Sequence, residues 1–285
     1  MQNWVMDGVS AGTYGMSGLL KLSYQSQSDG HHDWALVHPP KAGKAWLICL
    51  HGHGSQGDQL YTRPDIRAKW LPEFLGRGLG VLTPNLRDNA WMGPAAVQDL
   101  DDLLAVIRAE YGGETFLFAS GSMGGTGNLI YAALRPQNVA GVIARGAACD
   151  LASYYAWCRE RETGKAVLRQ IADAIAASYG GTPETNPAAY RAHSALYHAA
   201  RLTMPVFLAH GAEDATIPVS QARALVGQLI DHPSLVYLEI PDGNHDSPLH
   251  LRTAPHALDW LLARSGNHDH QSAVSQRRPA WPRHK

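Results

Sequence analysis

A serine in the middle of the chain has the local context of a catalytic nucleophile. Ser122 lies in "ASGSMGGTGNLIYAAL", where the strand-like run "TFLFA" leads into it and a helical segment follows. A strand–turn–helix of this kind exposes a nucleophile on a sharp turn that only small neighbours tolerate. Ser120 replaces the first glycine of the usual G-x-S-x-G pattern, but it is also small. A phosphate-binding turn is disfavoured, because "GSMGGTG" lacks the P-loop lysine and does not follow the first strand of a βαβ unit.

A serine hydroxyl needs a general base, and the tetrapeptide "GNHD" offers a histidine twice, at 243–246 and at 266–269. His245 follows the strand-like run "LVYLEI" by a short loop. His268 follows a helical segment instead, with Gly266 as its stop signal. Because a helix leaving the last strand carries its far end away from the edge where the strands end, we predict His245 as the base and regard His268 as coincidental.

The base in turn needs a carboxylate that orients it. Asp214, in "FLAHGAEDATIP", lies in the loop after the run 205–209. Carboxyl ends of parallel strands are where catalytic groups collect in open α/β sheets. Asp214 is therefore the predicted acid, with Glu213 and Asp150 as rivals.

The segment "LICLHGHGSQGD" ends another strand-like run in glycines, which let backbone N–H groups approach a substrate. We predict that the N–H groups of His53 and Met123 stabilise developing negative charge. The pair His51-x-His53 also suggests a metal site. That alternative is disfavoured, because the metal motif needs an acid and an imidazole where Ser55 and Gln56 stand. The sequence predicts neither a metal nor another cofactor.

The elements that must position these residues form an alternating strand and helix series. Two helical patterns, at 97–107 and 219–229, show apolar residues at i, i+3, i+4 and i+7. Two early runs, 18–25 and 33–38, alternate and predict an antiparallel edge. The continuous apolar runs, typical of parallel strands covered on both faces, are 45–50, 80–84, 115–119, 139–144, 205–209 and 235–240. We predict an α/β fold with a mostly parallel sheet of about eight strands and helices on both faces.

The length of the chain, 285 residues, is compatible with one domain. We assign residues 1–265 to a single domain and predict that residues 266–285, which lack apolar periodicity, form a disordered or loosely docked tail. Residues 151–204 are too long for one crossover and predict a helical, lid-like insertion. Five residues near the predicted site are candidates for a substrate pocket, although packing roles are equally open to them: Arg87, Trp91, Tyr154, Tyr155 and Trp157.

Composition excludes several functional classes. The chain has 285 residues, 45% of them apolar, and a net charge of −1, so bulk charge does not indicate nucleic acid or a membrane surface as a partner. No apolar run is long enough to span a bilayer, and the N-terminus lacks the pattern of a signal peptide, which predicts a cytoplasmic protein. Three cysteines without a C-x-x-C pair argue against a disulfide framework, and we predict Cys49 in the core.

Together, "HGHG", "GSMGG", "HGAED" and "GNHD" resemble the α/β-hydrolase superfamily in their order and context. Within it, the chain is similar to dienelactone hydrolases, the catalytic domains of prolyl oligopeptidases, and feruloyl or acetyl-xylan esterases. The resemblance covers about residues 33–263 and implies the chain order Ser122, Asp214, His245 for the triad. "HGHG" departs from the HGGG of lipases, and the chain is too short for the propeller of the oligopeptidases.

The resemblance implies a serine esterase acting on a small-molecule or saccharide ester, with an acetyl or hydroxycinnamoyl group as one option. Two alternatives stay open: a small serine peptidase and a non-catalytic binding module on the same fold. The oligomeric state does not follow from the sequence.

Overall fold

A computed structural model describes residues 3–250 and 254–265. Within these ranges one sheet of nine strands runs through the molecule in the order β1-β2-β3-β5-β4-β6-β7-β8-β9. The first three strands pair antiparallel, β3 pairs antiparallel with β5, and the pairs from β5 to β9 are parallel. The strands are β1 (Trp4–Gly8), β2 (Leu20–Gln25), β3 (His32–His38), β4 (Ala45–Ile48), β5 (Gly80–Pro84), β6 (Thr115–Gly121), β7 (Gly141–Arg145), β8 (Val206–Gly211) and β9 (Leu235–Ile240).

The predicted α/β architecture is confirmed, with one strand more than expected. The additional strand is β1, which pairs only with β2 at the sheet edge. Its sequence "WVMDG" is short and shows no apolar–polar alternation, because Val5 is apolar but exposed between Trp4 and Met6, which pack against the larger cluster. The antiparallel start and the parallel centre agree with the apolar patterns.

Helices cover both faces of the sheet. Successive residues of the central strands enter opposite clusters: Phe118 packs in the larger one, and Leu117 packs in the smaller one with Trp70 and Leu258. None of the described helices is long and apolar enough to cross a bilayer. The helices are α1 (Ala11–Tyr14), α2 (Gln59–Thr62), α3 (Pro64–Gly76), α4 (Pro94–Tyr111), α5 (Met123–Leu134), α6 (Leu151–Arg161), α7 (Ala166–Ser178), α8 (Pro187–Ala192), α9 (Ser220–Gln228) and α10 (Ala254–Arg264).

The segment 151–204 contains α6, α7, α8 and a 3-10 helix at Ala195–Arg201. It leaves the sheet after β7 and returns to it at β8, so it starts at the carboxyl edge where β6 ends. Its helical character agrees with the prediction, and whether it acts as a lid stays a prediction. The predicted tail, with His268, lies outside the described residues.

Candidate active site

Ser122 forms the turn between β6 and α5 and has a backbone conformation that L-residues rarely adopt, with φ 56° and ψ −130°. Its N–H donates to the carbonyl oxygen of Arg145 at 2.8 Å, which fixes the turn to β7. A Cβ atom on Gly124 would lie 2.3 Å from the carbonyl oxygen of Leu50, so no larger residue fits there. Strain of this kind persists only where the surrounding structure enforces it, and it is concentrated at functional sites.

Ser120, which departs from the glycine of the usual pattern, is fully buried below this turn. Its Oγ accepts a hydrogen bond from the Leu50 N–H at 2.8 Å and donates to Asn128 Oδ1 at 3.2 Å. The Asn128 side chain then donates to the carbonyl oxygen of Ile143 at 3.2 Å. The serine therefore links the end of β4 to β6, α5 and β7.

A continuous hydrogen-bond chain joins Ser122, His245 and Asp214. Ser122 Oγ lies 2.9 Å from His245 Nε2, and His245 Nδ1 lies 2.7 Å from Asp214 Oδ2. The Asp214 side chain is completely buried, whereas 19% of the His245 side chain is exposed. The three residues follow β6, β8 and β9, whose carboxyl ends meet at one edge of the sheet. This geometry allows a proton to pass between the serine hydroxyl and an imidazole held by a carboxylate.

The surroundings of Asp214 favour its ionised form. Burial raises the pKa of this carboxyl, but hydrogen bonds from His210, His245 and the Ile217 N–H outweigh burial, and the net pKa lies below the usual range. Oδ1 accepts from the N–H groups of Thr216 and Ile217, each at 2.8 Å. The carboxylate is therefore both charged and fixed in direction.

A second histidine beside Asp214, His210, was not predicted from the sequence. It is buried, its Nε2 lies 3.3 Å from Asp214 Oδ2, and the same nitrogen donates to the Ile217 carbonyl oxygen at 2.8 Å. The sequence feature that could have indicated its role is its position in "AHGAED", four residues before Asp214. The rival acids lie elsewhere: Glu213 is exposed, and Asp150 caps α6 by accepting from the Ala152 N–H.

The loop after β4 runs beside the serine, since a Cβ on Gly52 would lie 3.9 Å from Ser122 Cβ. Side chains hold alternate N–H groups of this loop: Gln59 Oε1 accepts from Gly52 at 2.9 Å, and Asn89 Oδ1 accepts from Gly54 at 2.7 Å. Among the described residues, none accepts a hydrogen bond from the His53 N–H between them.

Met123 supplies the second predicted N–H group. Because Met123 is the first residue of α5, its N–H lies among the helix N-terminal donors that have no partner within the helix. The positive end of the helix dipole adds to the attraction for a developing oxyanion. The roles of Gln59 and Asn89 were not predicted, because only the folded loop brings them to it.

The five predicted pocket residues divide into three environments. Arg87 is held by Asp29 and Asp99, with Nη1 and Nε each 2.6 Å from a carboxylate oxygen, so its charge is already compensated. Trp91, Tyr154 and Tyr155 are buried. Trp157 is only partly buried, and its ring stacks on Tyr154 with 6.1 Å between centroids.

Trp91 connects the aromatic group to the loop after β4. Its Nε1 donates to His53 Nδ1 at 3.2 Å, and its ring lies 5.6 Å from that of Tyr154. Burial lowers the pKa of His53, and the nearby His51 lowers it further. The His53 imidazole therefore stays neutral and can accept the hydrogen bond from Trp91. Trp91 has φ 47°, in a loop where Leu86 and Met92 are also left-handed, which indicates a strained but fixed support.

A cavity of about 30 Å³ opens beside Ser122 and is lined also by Gln59, Arg63, Trp70 and Leu249. Arg63, which was not predicted, forms a bidentate pair with Asp65 at 2.9 and 3.0 Å. It also lies 3.5 Å from Asp246, the residue after His245. Arg63 thus ties the histidine loop to α3.

The paired histidines after β4 do not form part of a metal-binding cluster. His51 Nε2 lies 2.8 Å from the Asn85 carbonyl oxygen, and the His53 ring packs against Trp91. Within residues 3–250 and 254–265, no group of three or more His, Cys, Asp or Glu side chains is arranged to hold a metal ion.

Solved structures with the same fold include esterases and a peptidase. The chain is similar to an esterase of Pyrococcus furiosus, with 14% identity, a TM-score of 0.66, and coverage of 92% of this chain and 96% of the esterase. It is also similar to S-formylglutathione hydrolase of Staphylococcus aureus, with 16% identity, a TM-score of 0.63, and coverage of 90% and 99%. A puromycin-hydrolysing peptidase of Mycobacterium tuberculosis shares 19% identity with a TM-score of 0.63 over 86% of this chain.

The chain spans only 39% of the length of that peptidase. No curated protein matches the sequence significantly. The sequence model of the prolyl oligopeptidase family matches residues 74–267, which is more than half of the chain and includes Ser122, Asp214 and His245. The chain therefore belongs to the prolyl oligopeptidase family and is a serine hydrolase with the α/β-hydrolase fold.

Proposed function

We propose that the protein is a serine carboxylic ester hydrolase that works through Ser122, His245 and Asp214. Ser122 Oγ attacks the ester carbonyl carbon while His245 Nε2 takes the hydroxyl proton. The N–H groups of His53 and Met123 stabilise the oxyanion. His245 then gives its proton to the leaving alcohol, and water hydrolyses the acyl-enzyme by the same steps.

The observation that carries this proposal is the hydrogen-bond chain from a buried carboxylate to a partly exposed serine. The distances are 2.7 Å for Asp214–His245 and 2.9 Å for His245–Ser122. An ionised Asp214 holds the imidazole with Nδ1–H toward it, which leaves Nε2 free to accept the serine proton. A binding module has no need of this arrangement.

For the substrate, the partly exposed ring of Trp157 favours an ester with a flat or saccharide portion. Aromatic rings pack against sugars and aryl groups alike. The Trp157 ring stacks on Tyr154 and has the Arg161 guanidinium over it, 5.0 Å from the centroid, so a substrate would contact the exposed remainder of the ring. We therefore infer a small-molecule ester, with acetyl or hydroxycinnamoyl esters of carbohydrates as the first compounds to assay.

A serine peptidase is the second candidate, and the family match favours it. The same serine and histidine can cleave an amide if the leaving amine is protonated. Matched ester and anilide substrates with one acyl group separate the two functions. An esterase is expected to hydrolyse the ester far faster, whereas comparable kcat/KM values for peptide anilides would favour the peptidase.

The decisive experiment is labelling with a fluorophosphonate probe, followed by peptide mapping. We expect the label on Ser122, and we expect Ser122→Ala to fold normally, to resist labelling and to lose at least about a thousandfold in kcat. Ser220→Ala is the control hydroxyl variant, because Ser220 is exposed at the start of α9. A protein that resists labelling while folded would indicate a binding module instead.

A further inference from the structure

Arg145, at the end of β7, is a buried cation that has no carboxylate partner among residues 3–250 and 254–265. Only 2% of the residue is exposed, and its Nε and Nη1 atoms form no hydrogen bond with the described residues. Its guanidinium lies over the ring of Trp70, 4.7 Å from the centroid. Burying an uncompensated charge is strongly unfavourable, so a charge of this kind normally has a counterion.

The neighbouring groups do not supply that counterion. Burial raises the pKa of the Cys49 thiol to about 12, so this neighbour is neutral at physiological pH. Burial lowers the pKa of Arg145 to about 10, with an opposing contribution from Cys49, so the guanidinium stays charged. Glu73 already pairs with Arg77 at 2.7 Å, and none of the ion pairs among the described residues includes Arg145.

A small cavity adjoins this arginine between α3, α10 and the sheet. It has a volume of about 10 Å³ and is lined by Lys69, Trp70, Glu73, Phe74, Ile143, Arg145 and Leu258. A cavity of this size holds one water-sized occupant. Lys69 and Arg145 are the cations in this lining, and Glu73, its acid, is already paired with Arg77. A single-atom anion such as a halide fits a space of this size more readily than a four-oxygen anion such as sulfate or phosphate.

We propose that Arg145 forms a buried site for one small monovalent anion, with chloride as the physiological ligand. The Arg145 N–H donors bind the ion, and Lys69 adds positive potential at the cavity. The carbonyl oxygen of the same residue accepts the Ser122 N–H at 2.8 Å, so the ion stabilises the strand end that supports the nucleophile turn. The site is distinct from the hydrolytic site and does not depend on the proposed function.

The direct test is crystallisation in sodium bromide and measurement of anomalous scattering from bromine. We expect one strong anomalous peak within hydrogen-bond distance of the Arg145 guanidinium. A crystal with bromide sites on the surface but ordered water beside Arg145 would overturn the proposal.

The second test measures the melting temperature in sodium chloride and in sodium gluconate at one ionic strength. Chloride is expected to raise the Tm of the wild type by about 2–4 °C, since only the folded state holds the ion. Arg145→Met is expected to lose this difference. Arg169→Met, at an exposed arginine, is expected to keep it.

A third measurement addresses the other possible counterion. If the Cys49 thiolate compensates Arg145, the native protein shows an ultraviolet thiolate absorbance that disappears in Cys49→Ala, and chloride has no specific effect on the wild-type Tm. That combination would refute the anion site. If wild type and Cys49→Ala have the same ultraviolet absorbance and the bromide peak is present, the anion site is supported.

Discussion

The acid of the proposed triad combines catalytic orientation with a contribution to stability. Asp214 is ionised and buried because His210, His245 and two backbone N–H groups bind its oxygens. An asparagine at this position keeps the shape but cannot accept from Nδ1–H in the same way, so the imidazole loses its preferred tautomer. We expect Asp214→Asn to lower kcat by about 10⁴-fold, measured in steady-state ester hydrolysis.

The pH dependence of stability tests the same residue without reference to activity. The folded-state pKa of Asp214 is depressed, so its stabilising effect is complete above the unfolded pKa of about 3.9 and is lost as pH falls from there toward the folded pKa. The difference in unfolding free energy between wild type and Asp214→Asn should narrow on acidification below about pH 4, in urea titrations. A difference in unfolding free energy that widens below about pH 4 would contradict the depressed pKa.

At the scale of elements, the loop after β4 is positioned by side chains from distant parts of the chain. Gln59 holds the Gly52 N–H and thereby fixes the backbone next to His53, whose N–H we propose as an oxyanion donor. We expect Gln59→Met to lower kcat about tenfold or more with little change in KM, because the oxyanion exists only in the transition state.

The matched control for this loop is Gln56→Met, since Gln56 is exposed on the same loop. It should leave both constants close to those of the wild type. A rise in KM with unchanged kcat in Gln59→Met would instead assign Gln59 to ground-state binding.

The first helix of the insertion, α6, carries two rings that should respond differently to truncation. Tyr154 is fully buried and its hydroxyl donates to the Thr216 carbonyl oxygen at 3.0 Å, so Tyr154→Ala should cost about 3–5 kcal/mol of stability and lower activity on all substrates. Trp157 is partly exposed, so Trp157→Ala should change kcat/KM for bulky esters by about tenfold and leave a small acetate ester unaffected.

Thermal melts beside a two-substrate assay separate these outcomes. Equal loss of activity on both esters in Trp157→Ala, together with a lower Tm, would mean that Trp157 is a packing residue. Trp157 would then have no role in substrate specificity.

At the scale of the whole molecule, the proposed site depends on strand order. The sheet places β6, β7, β8 and β9 side by side, which brings together residues that are up to 123 positions apart. All side chains of the proposed site lie before residue 251. A chain that stops after Ser265 is therefore expected to keep its activity, whereas His245→Ala should be nearly inactive.

This comparison distinguishes the two "GNHD" copies in an ester assay with circular dichroism as the folding control. A truncated protein that is folded but inactive, together with an active His245→Ala, would assign the base to the second copy. Equal activity of the truncated and full-length proteins would support His245.

The sequence by itself determined the α/β class, the strand–turn–helix around Ser122 and the chain order of the three proposed catalytic residues. These features depend on periodicity and on small residues at a turn, and both are local properties of the chain. The sequence did not identify β1, because the strand is short and the exposed apolar Val5 between Trp4 and Met6 obscures its alternation.

Only the tertiary structure decided which side chains surround the site. It brought Gln59 and Asn89 to the loop after β4 and His210 to Asp214, and it buried Tyr154 while leaving Trp157 partly exposed. Likewise, "VIARG" predicts a strand but does not reveal that Arg145 lies over the Trp70 ring, with no carboxylate partner in the part of the chain that the structure describes. Such contacts join elements far apart in the chain, so neither spacing nor composition of the local sequence specifies them.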